Sequence, residues 1–96
     1  MYGTIFNLNV KAGQKESLIR EMKSNSDNPE GMVAWFLMSP DDSSKDLIGV
    51  AIFESKEHHI KNAESAEQNK AFEKMMEFLA SEPTWTDGVF PIGEIA

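Results

Sequence analysis

The 96 residues give room for one domain around one core, residues 1–96, and a content of 41% hydrophobic and 26% charged residues is that of a globular chain. The net charge of −7, from 16 acidic against 9 basic residues, leaves no clustered cations for nucleic acid or an anionic membrane, so neither is expected as a partner. There is no cysteine, which excludes disulfides, thiolate metal sites and cysteine nucleophiles.

Tyr2 to Val10 alternates in character, with Tyr2, Thr4, Phe6, Leu8 and Val10 on one side and Gly3, Ile5, Asn7 and Asn9 on the other, and this predicts a strand. Lys11-Ala12-Gly13 breaks it. Leu18, Ile19 and Met22 then form the single apolar stripe of a helix from Gln14 to Asn25, and Ser24 to Gly31 is made of turn residues. Met32 to Met38 and Leu47 to Phe53 are continuous apolar runs around the polar turn Ser39–Ser44, which predicts an antiparallel hairpin. Ser55 offers an N-cap for a short helix, Lys56 to about Ala63. Ser65-Ala66-Glu67-Gln68 has capping-box spacing for another, carrying Ala71, Phe72, Met75, Phe78 and Leu79 and ended by Glu82-Pro83. Trp85 to Ile95 reads as a last strand, with Pro91 marking an edge or a bulge.

The order β-α-β-β-α-β predicts an α+β, ferredoxin-like fold, a four-stranded antiparallel sheet with its helices on one face. Both faces of the hairpin are apolar, because Met32, Ala34, Phe36 and Met38 oppose Val33, Trp35 and Leu37. A bare sheet face of that kind is more than a soluble monomer usually exposes, so the chain is expected to pair with itself as a homodimer. Which face meets the partner is left open. The N-terminus lacks a basic segment followed by an apolar run, and no apolar stretch nears the ~20 residues that span a bilayer, so a cytoplasmic protein is expected.

His58 and His59 are the only histidines, and one of them could serve as a general base near neutral pH. The plainer reading is two solvent-facing helix residues. They make a poor metal pair, since adjacent helix positions point about 100° apart and no third ligand is suitably spaced. Asn7 and Asn9 are unusual strand residues and could orient a ligand or simply bond the neighbouring backbone. Trp35, Phe36, Phe53, Phe72, Met75, Met76 and Trp85 could line a pocket for a flat aromatic molecule, or be core alone. Of these, Asn7, Trp35, Phe53, Phe72 and Met76 are the candidate substrate-binding set, with His58 and His59 as candidate catalytic residues. Glu54 could orient one histidine.

Three segments resemble the antibiotic-biosynthesis monooxygenase family: Val10–Glu16, where a Lys-Ala-Gly step opens a helix; Ser39-Pro40-Asp41-Asp42 leading into an apolar strand; and Ile52–His58, similar to the family's Trp-Glu-Ser-x-Glu-Ala. Ala71-Phe72 completes the pattern. The resemblance implies a ferredoxin-like domain that pairs into a dimeric α+β barrel. It also implies oxidation of a small aromatic or quinol-type metabolite without metal, flavin or haem. The family's haem-degrading branch would need a Trp, an Asn and a His where this chain has Phe53, Phe6 and a helix offering only Met75 and Met76, so that branch is rejected. The alternative is a non-catalytic dimeric barrel that binds a small ligand.

Overall fold

In the computed structural model, which describes residues 1–24 and 28–96, the element order is β-α-β-β-α-α-β. Strand β1 spans Tyr2–Leu8, helix α1 Lys15–Ser24, and the hairpin strands β2 and β3 Met32–Met38 and Leu47–Phe53. Helices α2 and α3 follow at Lys56–Ala63 and Ala66–Met76, and β4 closes the chain at Thr84–Val89. The turn expected between Ser24 and Gly31, and the expected end of the first helix at Asn25, fall partly on residues 25–27, outside the described residues.

The sheet is wholly antiparallel with strand order β2-β3-β1-β4, the ferredoxin-like arrangement. Residues facing one another across the ladder share a face. Phe6, Gly49, Leu37 and Trp85 therefore lie on one side, as do Thr4, Ala51, Trp35 and Asp87. This inner side meets the helices. Phe6, Leu8, Leu18, Leu47, Met75 and Leu79 form the buried cluster, joining β1 and β3 to α1 and α3. Gly49 is needed there because a Cβ would overlap the Phe6 ring that lies over it.

Ile5, Asn7, Phe36, Met38, Ile48, Val50 and Ile52 point the other way, and no helix covers them. Phe36 is 61% exposed and Met38 53%. Met32 is not among them, contrary to the strict alternation read from the sequence. The β2–β3 register shifts between Met32 and Ala34, so Met32 faces Phe53 on the inner side while Ala34 faces Ile52 on the outer.

Three boundaries also differ by more than one residue. The first strand stops at Leu8, and Val10 instead makes a separate antiparallel bridge to Leu79. That bridge is held by hydrogen bonds from Lys11 N–H to the Phe78 carbonyl (2.8 Å) and from Ala80 N–H to the Asn9 carbonyl (2.8 Å). Phe78 and Leu79 lie beyond α3, where their N–H groups close tighter three-residue turns onto the Met75 and Met76 carbonyls and the Phe78 carbonyl turns to Lys11. The last strand ends at Val89, two residues before Pro91, which has no N–H to give a ladder. As expected of a strand carrying such a residue next to it, β4 is an edge.

Candidate functional site

At the Leu8 end the space between sheet and helices is filled, but toward the start of β1 it opens. The inner faces of β1 to β4 diverge from α2 and α3 to leave a cleft of about 560 Å³, partly open to solvent. Five aromatic side chains line it, Phe6, Trp35, Phe53, Phe72 and Trp85, and Asn28, Asn62, Gln68 and Asn69 add neutral amides. Trp85 bridges two of them, with its ring centroid 5.1 Å from Phe6 and 6.3 Å from Phe72. Met22, Met32 and Met75 fill between the rings. Thr4 is buried in the floor, and its hydroxyl is satisfied by donating to the Thr86 carbonyl at 3.3 Å.

One end of the cleft carries ionisable chemistry. Ser55 caps α2, its hydroxyl accepting from His58 N–H, and this cap fixes the phase of the helix that follows. The phase turns His59 inward, between Tyr2 (ring centroids 5.5 Å apart) and Phe53 (5.4 Å, near edge-on). The side chain is 16% exposed, and its Nε2 stands 3.9 Å from Oδ1 of Asp87 on β4. That gap is too long for a direct hydrogen bond, yet one hydroxyl or water oxygen could reach both groups. Nδ1 of His59 is buried and has no hydrogen-bond partner among the described residues. Among the described residues no three of His, Asp and Glu converge closely enough to hold a metal ion.

No protein-family model matches the sequence, and no curated protein does either. Solved structures do. A provisionally named antibiotic biosynthesis monooxygenase of Nitrosomonas europaea superposes with a TM-score of 0.81 at 14% identity, over 96% of this chain and 100% of that one. A likewise provisionally named antibiotic biosynthesis monooxygenase of Bordetella bronchiseptica gives 0.81 at 14%, over 95% and 97%. A conserved protein of Methanosarcina mazei Go1 gives 0.79 at 13%, over 91% and 89%. The chain has the antibiotic biosynthesis monooxygenase fold. At these identities the likeness concerns the backbone, and the chemistry has to be argued from the side chains that fold presents.

On the antibiotic biosynthesis monooxygenase fold, the residues singled out from the sequence separate cleanly. His59, Trp35, Phe53 and Phe72 all line the cleft, with Trp85 and Met75 beside them. His58 does not. Its ring lies against Gly31, where a Cβ would overlap it, and its Nδ1 pairs with the Ser55 hydroxyl at 2.7 Å. It faces an adjoining cleft of about 540 Å³ with Lys61 and Ser65, which meets the first along Asn28, Pro29, Asn62, Gln68 and Ala71. Met76 is half-buried against the core cluster and lines neither cleft. Asn7 is exposed on the outer face of β1, away from the helices, as is Phe36 on β2. Asn9 neither lines the cleft nor bonds the neighbouring backbone through its side chain; its amide donates to the Ser81 hydroxyl at 3.3 Å beside the Val10–Leu79 bridge. Glu54 is exposed, and the carboxylate facing His59 belongs to Asp87 instead.

Asp87, Thr4, Phe6 and Met32 were not singled out. The strand alternation already put Thr4 and Phe6 together on one face of β1. Asp87 had no local signal, since only the β1–β4 register brings it opposite Thr4.

Proposed function

We propose that the chain is an antibiotic biosynthesis monooxygenase-type protein that works as a homodimer and oxidises a flat aromatic or quinol-type molecule, using oxygen and no cofactor. The observation that carries this reading is the cleft itself: aromatic walls, with a single inward-facing imidazole beside a carboxylate at one end. In this reading His59 Nε2, in the tautomer with its hydrogen on Nδ1, takes a proton from the acidic position of the substrate. The Asp87 carboxylate then faces the imidazolium that forms.

The substrate anion passes one electron to oxygen, and the resulting radical and superoxide join through a new C–O bond. The peroxide regains the proton from His59. Loss of water, with cleavage of the O–O bond and the remaining C–H bond, leaves a carbonyl where a CH₂ stood, so R₂CH₂ and O₂ give R₂C=O and H₂O. Apolar walls favour this sequence by stripping water from the anion and holding it against oxygen. The bare outer face, with Ile5, Phe36, Val50 and Ile52, supports pairing of two sheets, because burial would remove that apolar area from water.

Oxygen uptake with a panel of anthrones and quinols, with no cofactor added, tests the activity. Uptake should be catalysed by the native protein and fall by about 10²–10⁴-fold in His59→Ala, the usual loss for a general base. It should stay within a few-fold of native in His58→Ala. Binding of panel members without oxygen uptake would instead assign a non-catalytic ligand-binding role.

A further inference from the structure

The ionisable groups of the cleft have one sign apart from the imidazole. Glu21 and Asp87 line it, and among the described lining residues there is neither Lys nor Arg. Residues 25–27 are Asn, Ser and Asp, so by residue type they add no cation. Glu21 lies 3.7 Å from Lys74 on the outside and is largely compensated by it. Among the described residues the one ionic neighbour of Asp87 within 4 Å is His59, at 3.9 Å, and Asp87 sits half-exposed at the end of the cleft. The walls carry five aromatic rings, whose π-faces attract cations and repel anions, together with the neutral amides of Asn28, Asn62, Gln68 and Asn69, which bring no fixed charge. The chain as a whole carries a charge of −7.

We propose that the cleft selects its aromatic ligand by charge, admitting uncharged and cationic molecules that carry a hydroxyl or amine donor and rejecting anionic ones. The inference rests on the reading of the cleft as the ligand site. An anion entering here would lose hydration and meet a carboxylate with no fixed cation to repay the loss. A neutral hydroxyl or an ammonium can donate to Asp87 Oδ1 while its ring lies among Trp35, Phe53 and Phe72. The substrate therefore enters protonated, and a negative charge on it is tolerated only after His59 has taken the proton and become the compensating cation. The ordering gives the base a role in selection as well as in chemistry.

Three probes of one ring system separate the cases: 2-naphthol, protonated 2-naphthylmethylamine and 2-naphthalenesulfonate. Calorimetry at neutral pH and low salt gives their affinities. Quenching of Trp35 and Trp85, the chain's only tryptophans, places a bound probe in the cleft. The naphthol and the amine should bind at least about tenfold more tightly than the sulfonate, as a half-screened charge at close range allows. The amine's advantage should shrink at high salt and in Asp87→Asn. Sulfonate binding as tight as naphthol binding overturns charge selection while leaving the cleft as a ligand site. Failure of all three probes to bind overturns both.

Discussion

The two ends of the space between sheet and helices are built from similar residue types and do different things. At one end Leu8 and Leu18 are fully buried, with Leu47 and Leu79 closing around them. At the other, Trp35, Phe72 and Trp85 are as apolar but stand around a cleft of about 560 Å³. The difference lies in shape. Branched aliphatic side chains interdigitate and fill a layer, whereas large rings anchored on two diverging surfaces leave a gap between them that smaller side chains do not reach. Leu8 and Leu18 are core, Trp35 and Trp85 are wall, and Phe6 and Met75 are both, at the junction of the two ends; hydrophobicity alone does not distinguish them.

The largest expected effect comes from breaking the packed end. Leu8→Ala or Leu18→Ala should cost about 2–5 kcal/mol in denaturant unfolding, because the cavity left behind cannot collapse between β1 and α1. Trp35→Ala, at the open end, should cost less than either in spite of removing more atoms, since part of the ring faces the cleft. A Trp35→Ala loss as large as that of Leu8→Ala would mean that the two ends are one continuous core.

A second contrast is between the two faces of the sheet. Phe36→Asp on the bare outer face should convert the protein to a species of 10.8 kDa by light scattering, with the far-ultraviolet circular dichroism of the native fold retained. A protein already monomeric at that mass before substitution would remove the need for a partner on that face. Trp35 and Leu37, on the inner face, are not the residues with which to split a dimer.

The smallest effect sharpens the open end, where α2 begins. The backbone N–H of Glu57, and next the Ser55 hydroxyl, hold the Glu57 carboxyl below its ordinary range. A depressed carboxyl contributes stability that is present above its ordinary range and lost as pH falls through the folded value. Glu57→Gln should therefore lower the Tm slightly at neutral pH and not at all in strong acid. The group is fully exposed, so a shift of several degrees would contradict this assignment.

Much of this fold is legible along the chain. The runs 32–38 and 47–53 and the helix 56–63 have the bounds their sequence suggests, because each is framed by turn residues or by the Ser55 cap. Illegible features were those set by a distant partner. The helical spacing of Phe78 and Leu79 is real, but the chain leaves the helix there through tighter turns, and the Phe78 carbonyl and Ala80 N–H bond Lys11 and Asn9, far away in sequence. Met32 changes sides because of a register shift that no period-two pattern contains. In the site, His58 and His59 are adjacent helical positions, and which of them faces the cleft depends on the packing of α2 against Tyr2 and Phe53, while Asp87 reaches His59 only through sheet pairing. Asn7 was singled out for its residue type, and its parity on β1 places it on the outer face.

The central claim is that the open end of the inner face receives the aromatic molecule, and the methionines report on it directly. Met22 and Met32 line the cleft, while Met38 lies on the outer face. In protein labelled at the methionine methyl carbons and titrated with 2-naphthol, the Met22 and Met32 resonances should move together and saturate, with Met38 unchanged. Movement of Met38 with Met22 and Met32 left in place would put the ligand on the outer face and contradict the account.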